Sequence, residues 1–298
     1  MEQLFLKSVD GYELDLHIFE AKEAKAVVQL AHGMEEHQER YEDFAKFLVK
    51  NGFTVVSADM RGHGKNAKNL GYFSDKDGDK LLVKDHLKIR DFIAKRFPNL
   101  PIYLFAHSMG TIIARVVLQK NSSKYDKVVL SGYPAYQSGA GFGVFLTDVV
   151  KLFRGAKYKS KIIQKIGIGV FNNEIKNPRT DIDWVCANEK TVDEYLRDPL
   201  CGTGFTISAF GDLFRLVVQM NKSEECKKVK KDLPILLLAG KDDPCTKGEK
   251  GRAQSRKTLE EEGFENIEQI TYPNMRHEIL NERDNQKVYD DILKFYES

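Results

Sequence analysis

At 298 residues, with 42% hydrophobic and 30% charged residues, the chain has the make-up of a globular protein able to bury a substantial core, as one large domain or two. A formal net charge of +2 is too small to argue for nucleic acid as a partner, and no window approaches the run of about 18 apolar residues that a membrane-crossing helix needs. Met1-Glu2-Gln3-Leu4-Phe5 lacks the basic and then apolar regions of a secretory signal, which predicts a cytoplasmic protein. The four cysteines, Cys186, Cys201, Cys226 and Cys245, form no C-x-x-C pair and are expected to be reduced thiols.

Tyr12 to Ile18 alternates apolar and polar residues, as a half-buried strand does, and the alternating N-terminal strands fit an antiparallel edge. Ala26 to Ala31, Thr54 to Ser57, Ile102 to Phe105, Val128 to Leu130 and Ile235 to Leu238 are instead short and mostly apolar, which suits strands buried on both faces of a parallel sheet. Helical stretches lie between them. Tyr41 to Lys50 stops at Asn51-Gly52, and a second helix with Leu82, Ile89, Ile93 and Phe97 on one face is closed by Pro98. Lys250 to Glu262 and Gln286 to Tyr296 complete an alternation that predicts βαβ units and a mostly parallel sheet flanked by helices. The alternation fails between about residues 135 and 231, where no buried strand is legible. We expect a helical cap there, inserted into a core made of 1–134 and 232–298.

Ala106-His107-Ser108-Met109-Gly110 follows an apolar run and precedes a helical segment. Strand, sharp turn and helix are the setting in which a nucleophile elbow lifts a serine hydroxyl above the sheet, while small flanking residues let strand and helix pass closely. The bland alternative is a serine capping a helix. A serine nucleophile needs a base, and among α/β-hydrolases the order along the chain is serine, acid, histidine. Six of the seven histidines precede Ser108; only His277 follows it, in a loop after the strand-like Ile267 to Thr271. The acid is expected just after Ile235 to Ala239, where Gly240-Lys241-Asp242-Asp243 offers two carboxylates that sequence alone does not separate. His32, His37 and His63 fit no zinc spacing and are expected to brace loops, as are Glu36 and Arg61.

His32-Gly33-x-x-Glu36-His37-x-x-Arg40-Tyr41, then Asp59-x-Arg61-Gly62-His63-Gly64, then the Ser108 turn, resembles the monoacylglycerol lipase and lysophospholipase branch of the α/β-hydrolases. The resemblance runs along the whole chain, through Asp198-Pro199-Leu200 to His277. It implies an α/β-hydrolase fold and a serine hydrolase acting on carboxylic esters, with monoacylglycerols or lysophospholipids as substrates and no metal or organic cofactor. It selects Asp243 as the acid and gives the backbone N–H groups of Met34 and Met109 as the oxyanion hole. A short-chain carboxylesterase or peptidase of the same fold is the alternative among enzymes. A ligand-binding homologue without turnover is the alternative outside them, and the complete Ser, His and Asp set argues against it.

Phe142 to Phe153 is more apolar than a helix buried on one face requires. Phe142, Phe145, Leu146 and Val149 are therefore candidate acyl-chain contacts or a lipid-facing surface, against the plainer reading that they form the core of the cap. Two basic stretches, Arg154 to Lys161 and Lys227 to Lys231, are by default solvated faces; contact with an anionic membrane periphery is the sharper reading.

Overall fold

The computed structural model describes residues 1–226 and 228–298, so Lys227 of the second basic stretch lies outside the described residues. Eight strands form one sheet: β1 (Glu2–Lys7), β2 (Glu13–Phe19), β3 (Ala26–Ala31), β4 (Phe53–Ala58), β5 (Ile102–His107), β6 (Lys127–Ser131), β7 (Ile235–Gly240) and β8 (Ile267–Tyr272). Their spatial order is β1-β2-β4-β3-β5-β6-β7-β8. The pairs β1–β2 and β2–β4 are antiparallel, and every other pair is parallel.

The continuous apolar runs are explained by which way each side chain points. Successive strand residues face opposite sides of a sheet. Val27, Val56, Leu104, Val128 and Leu237 thus enter one core layer, while Val28, Val55, Phe105, Val129 and Leu236 enter the other. Helices α1 (Glu42–Lys50) and α9 (Gln286–Glu297) cover the second layer through Phe44, Leu48, Val288 and Ile292. Helices α2 (Gly78–Arg96) and α3 (Met109–Asn121) cover the first through Leu82, Ile93, Ile113 and Val117. Full burial of each such side chain contributes about 1.5–3 kcal/mol, so both faces are held firmly and the loops at the strand ends are fixed in space.

Between β6 and β7 the chain forms α4 (Ala140–Arg154), α5 (Lys161–Gly167), α6 (Glu189–Arg197) and α7 (Ile207–Gln219), with short 3-10 turns and, among the described residues, no strand. Helix α8 (Gly248–Glu261) follows β7. Helix α4 lies along α7, and Gly143 makes their approach possible: a Cβ there would sit 2.8 Å from the Phe214 ring. Leu146 and Val150 turn inward onto the first core layer. Phe142, Phe145, Leu152 and Phe153 point outward with 63–80% of their surface exposed, so this stretch is not simply the interior of the insert.

Candidate active site

Ser108 occupies the turn between β5 and α3 with φ 51° and ψ −119°, a strained conformation for a side chain with a Cβ. Such strain costs of order 1–3 kcal/mol and survives only where the surroundings enforce it. Here the Ser108 N–H donates to Ser131 O at 3.0 Å, and Ser108 O accepts from the Thr111 N–H at 2.9 Å. Gly110 lets α3 pass the β3 end, since a Cβ there would lie 2.6 Å from Ala31 O and 2.7 Å from His32 O. Ala106 needs no such relief; it is fully buried in β5 between Ala31 and Leu130.

The His277 loop reaches Ser108 from the far end of the sheet. Gly240, at the end of β7, meets it so closely that a Cβ would come within 2.1 Å of Arg276 O. The Asp242 N–H donates to Met275 O at 3.0 Å, which leaves the Asp242 side chain exposed and turns that of Asp243 inward, 2% exposed. Asp243 Oδ2 is 2.9 Å from His277 Nδ1, and its Oδ1 accepts from the Cys245 N–H at 2.9 Å. His277 Nε2 is 2.8 Å from Ser108 Oγ. With these partners the ring donates from Nδ1 to Asp243 and accepts from the Ser108 hydroxyl at Nε2. Burial opposes charge on His277, yet the Asp243 carboxylate holds its pKa well above the usual histidine range. Cys245 lies beside the pair, but burial raises its thiol to about 11, so it brings no charge at neutral pH.

Met34 and Met109 stand at the two backbone positions expected of oxyanion donors. The Met109 N–H opens α3 and has no intrahelical acceptor. Neither amide donates to an acceptor among the described residues. The loop carrying Met34 is cross-braced. The Gly33 N–H donates to Glu36 Oε1 at 2.5 Å, and His32 Nδ1 is 2.7 Å from Gly33 O. His32 Nε2 accepts from the Met60 N–H at 2.9 Å, and His63 Nε2 accepts from the Glu35 N–H at 3.3 Å. Burial pushes His32 well below the usual range and His63 down to about 4, so both are neutral braces at pH 7. His37 Nε2 is 2.8 Å from Asp198 Oδ2, which joins the loop to the insert. Arg40 forms a fork onto Glu278 at 2.5 and 2.6 Å and reaches Glu36 at 2.8 Å, linking the Met34 loop to the residue after His277. Arg61 acts elsewhere: it pairs with Asp85 and Asp10 and holds the β4–α2 loop to the N-terminal edge.

Two groups bring three potential metal-ligand atoms together, Asp243 with Cys245 and His277, and His37 with Asp198 and Cys201. In the first, both ring nitrogens of His277 are already engaged by Asp243 and Ser108. Two neighbours of the site give little sign of themselves in the sequence. Trp184 of the insert packs on the His277 ring, and Glu35, in the Met34 loop, is 5% exposed. Of the four α4 residues singled out as candidate acyl-chain contacts, Leu146 packs inward, and Phe142, Phe145 and Val149 face solvent.

The mostly parallel sheet, with the Ser108 turn at the end of β5 and helices on both faces, defines an α/β-hydrolase. The family model described as serine aminopeptidase, S33, matches residues 22–284, and the chain belongs to that family. A monoacylglycerol lipase of Mycolicibacterium smegmatis is 26% identical over 91% of this chain and 88% of its own length. A Haemophilus influenzae protein named "probable lysophospholipase L2" is 25% identical over 93% of this chain and 85% of its own. Among solved structures, a thermostable carboxyl esterase from Bacillus coagulans in complex with glycerol superposes with a TM-score of 0.92 at 25% identity, covering 99% of this chain and 97% of that one.

Proposed function

We propose that the chain is a serine hydrolase of carboxylic esters, with monoacylglycerols or lysophospholipids as its substrates. The observation that carries the reading is the continuous hydrogen-bond chain from Ser108 through His277 to Asp243. The names of the Mycolicibacterium and Haemophilus relatives support the substrate class. In the mechanism, Ser108 Oγ attacks the ester carbonyl while His277 Nε2 takes its proton. Asp243 fixes the tautomer and stabilises the imidazolium. The Met34 and Met109 amides receive the developing oxyanion, each such donor being worth about a hundredfold or more in rate. The alcohol leaves with the proton from His277, and water activated by the same ring frees the acid.

Residues 135–231 act as a cap over a core of 1–134 and 232–298. The outward face of α4, with Ile162 and Ile166 of α5, is an exposed apolar surface interspersed with Lys151, Arg154, Lys161 and Lys165. That pairing suits shallow contact with an anionic lipid surface. Among the described residues no helix is long and apolar enough to cross a membrane. A short-chain carboxylesterase is the second reading, favoured by the likeness to the Bacillus coagulans enzyme. A fluorophosphonate probe tests the chemistry: stoichiometric labelling abolished by Ser108→Ala supports it, and an unlabelled wild-type protein refutes it.

A further inference from the structure

Glu35 follows the Met34 oxyanion donor directly, and it is held in an unusual way. It takes φ 56°, in the left-handed region that favours glycine, although it carries a long charged side chain. Four groups fix it. Its N–H donates to His63 Nε2 at 3.3 Å. Its carbonyl oxygen accepts from Tyr195 Oη at 2.8 Å and from the Gly202 N–H at 3.0 Å. Its buried carboxylate accepts from Gln164 Nε2 at 2.7 Å, and Gln164 Oε1 in turn accepts from the Phe205 N–H at 3.3 Å. Gln164 lies on α5, Tyr195 on α6, and Gly202 and Phe205 between α6 and α7. All but His63 therefore belong to the insert between β6 and β7.

We propose that Glu35 is a positioning residue that ties the Met34 amide to the helical insert, so that the oxyanion donor is aimed only while α5 and α6 rest on its loop. The inference rests on the catalytic reading given above. A trans peptide points its N–H away from its C=O, so the contact from His32 Nδ1 to Gly33 O sets one side of the Gly33–Met34 peptide. Glu35 sets the other side. Without its anchors on α5 and α6, the Glu35 side of the Met34 peptide keeps only the contact of the Glu35 N–H with His63, and the Met34 N–H swings away from the position where charge develops. Oxyanion stabilisation depends on donors placed in advance, so such a loss falls on the transition state more than on substrate binding.

The test uses the full chain, a soluble short-chain p-nitrophenyl ester and a trifluoromethyl ketone that mimics the tetrahedral intermediate. Glu35→Ala lowers kcat by about 10- to 100-fold with KM within about twofold, and it weakens the ketone in parallel with kcat/KM. Gln164→Leu gives a smaller loss of the same kind. The double variant is no worse than Glu35→Ala alone, because both changes cut one link. Glu35→Gln keeps most of kcat, since its amide oxygen still accepts from Gln164. Unchanged kcat in both single variants, a loss confined to KM, or additive losses overturn the proposal. If Glu35→Ala fails to fold, Gln164→Leu on half-exposed α5 decides the matter alone. Fluorophosphonate labelling keeps the two claims apart. A labelled wild type with insensitive variants sinks only the role of Glu35, whereas an unlabelled wild type removes the catalytic reading as well.

Discussion

The Trp184 indole packs against the His277 imidazole with ring centroids 5.0 Å apart and planes tilted by 45°. Trp184 comes from the insert, His277 from the loop after β8, and no other tryptophan occurs in the chain. Its fluorescence therefore reports on this indole's surroundings, in which the Phe171 ring, 5.1 Å away, does not titrate and the His277 ring does. A protonated imidazole beside an indole quenches it, so emission is expected to rise as pH increases through the His277 pKa. The midpoint should lie above the ordinary histidine value of about 6.5, because Asp243 favours the imidazolium. A midpoint at or below that value would show that Asp243 does not govern this ring.

Asp243→Asn is expected to cut kcat by roughly 10⁴-fold while changing KM little, since an amide partner favours the wrong tautomer. The sign of the pH effect follows from the role of His277 as a base. It acts only when neutral, so kcat/KM falls as pH drops through its raised pKa. Removing the carboxylate lowers that pKa and moves the acid limb of the profile to lower pH. Rate profiles of the two proteins on one soluble ester check both statements.

A second titration bears on stability. Burial, with the Asp79 charge nearby, raises Asp212 to about 7, and its Oδ2 lacks a hydrogen-bond partner among the described residues. The unfolded chain releases this proton near pH 4, whereas the folded chain keeps it to about 7. Folding thus binds a proton across that window, and stability declines as pH rises through it. Asp212→Asn should raise stability by about 1–3 kcal/mol at pH 8 and leave it nearly unchanged at pH 4. Asp59, raised to about 6, contributes to the same slope and is untouched by the change. Denaturant melts at the two pH values measure the difference.

Phe145→Ser and Val149→Ser remove apolar surface from the outward face of α4, where Phe145 is 63% and Val149 37% exposed. They are expected to lower activity on long-chain esters presented in vesicles by about tenfold while sparing short soluble esters. The fold should survive, because neither side chain belongs to the core. Equal losses on both substrates would show that this face does not meet the acyl chain or a lipid surface.

The parallel strands were legible because burial on both faces writes a continuous apolar run. β1 was not, since its pattern is weak and Phe5 is 52% exposed. Periodicity found the apolar face of α4, but which way a face points depends on its neighbour, and α7 draws Leu146 inward while leaving Phe142 out. Ser108 and His277 could be singled out by chain order. Asp242 and Asp243 could not be told apart by physics, because the turn that hides one and exposes the other is set by a hydrogen bond to Met275, distant in sequence. Trp184 and Glu35 lay beyond reach for the same reason: their partners stand on other elements.

The most direct test of the central claim is fatty acid release from a monoacylglycerol and from a lysophospholipid, measured in parallel with wild-type protein and Ser108→Ala. The account predicts release from one or both by the wild type and none above background by the variant. Release that persists in Ser108→Ala would contradict the mechanism. Absence of release from both lipids, with a short ester still cleaved, would contradict the substrate assignment.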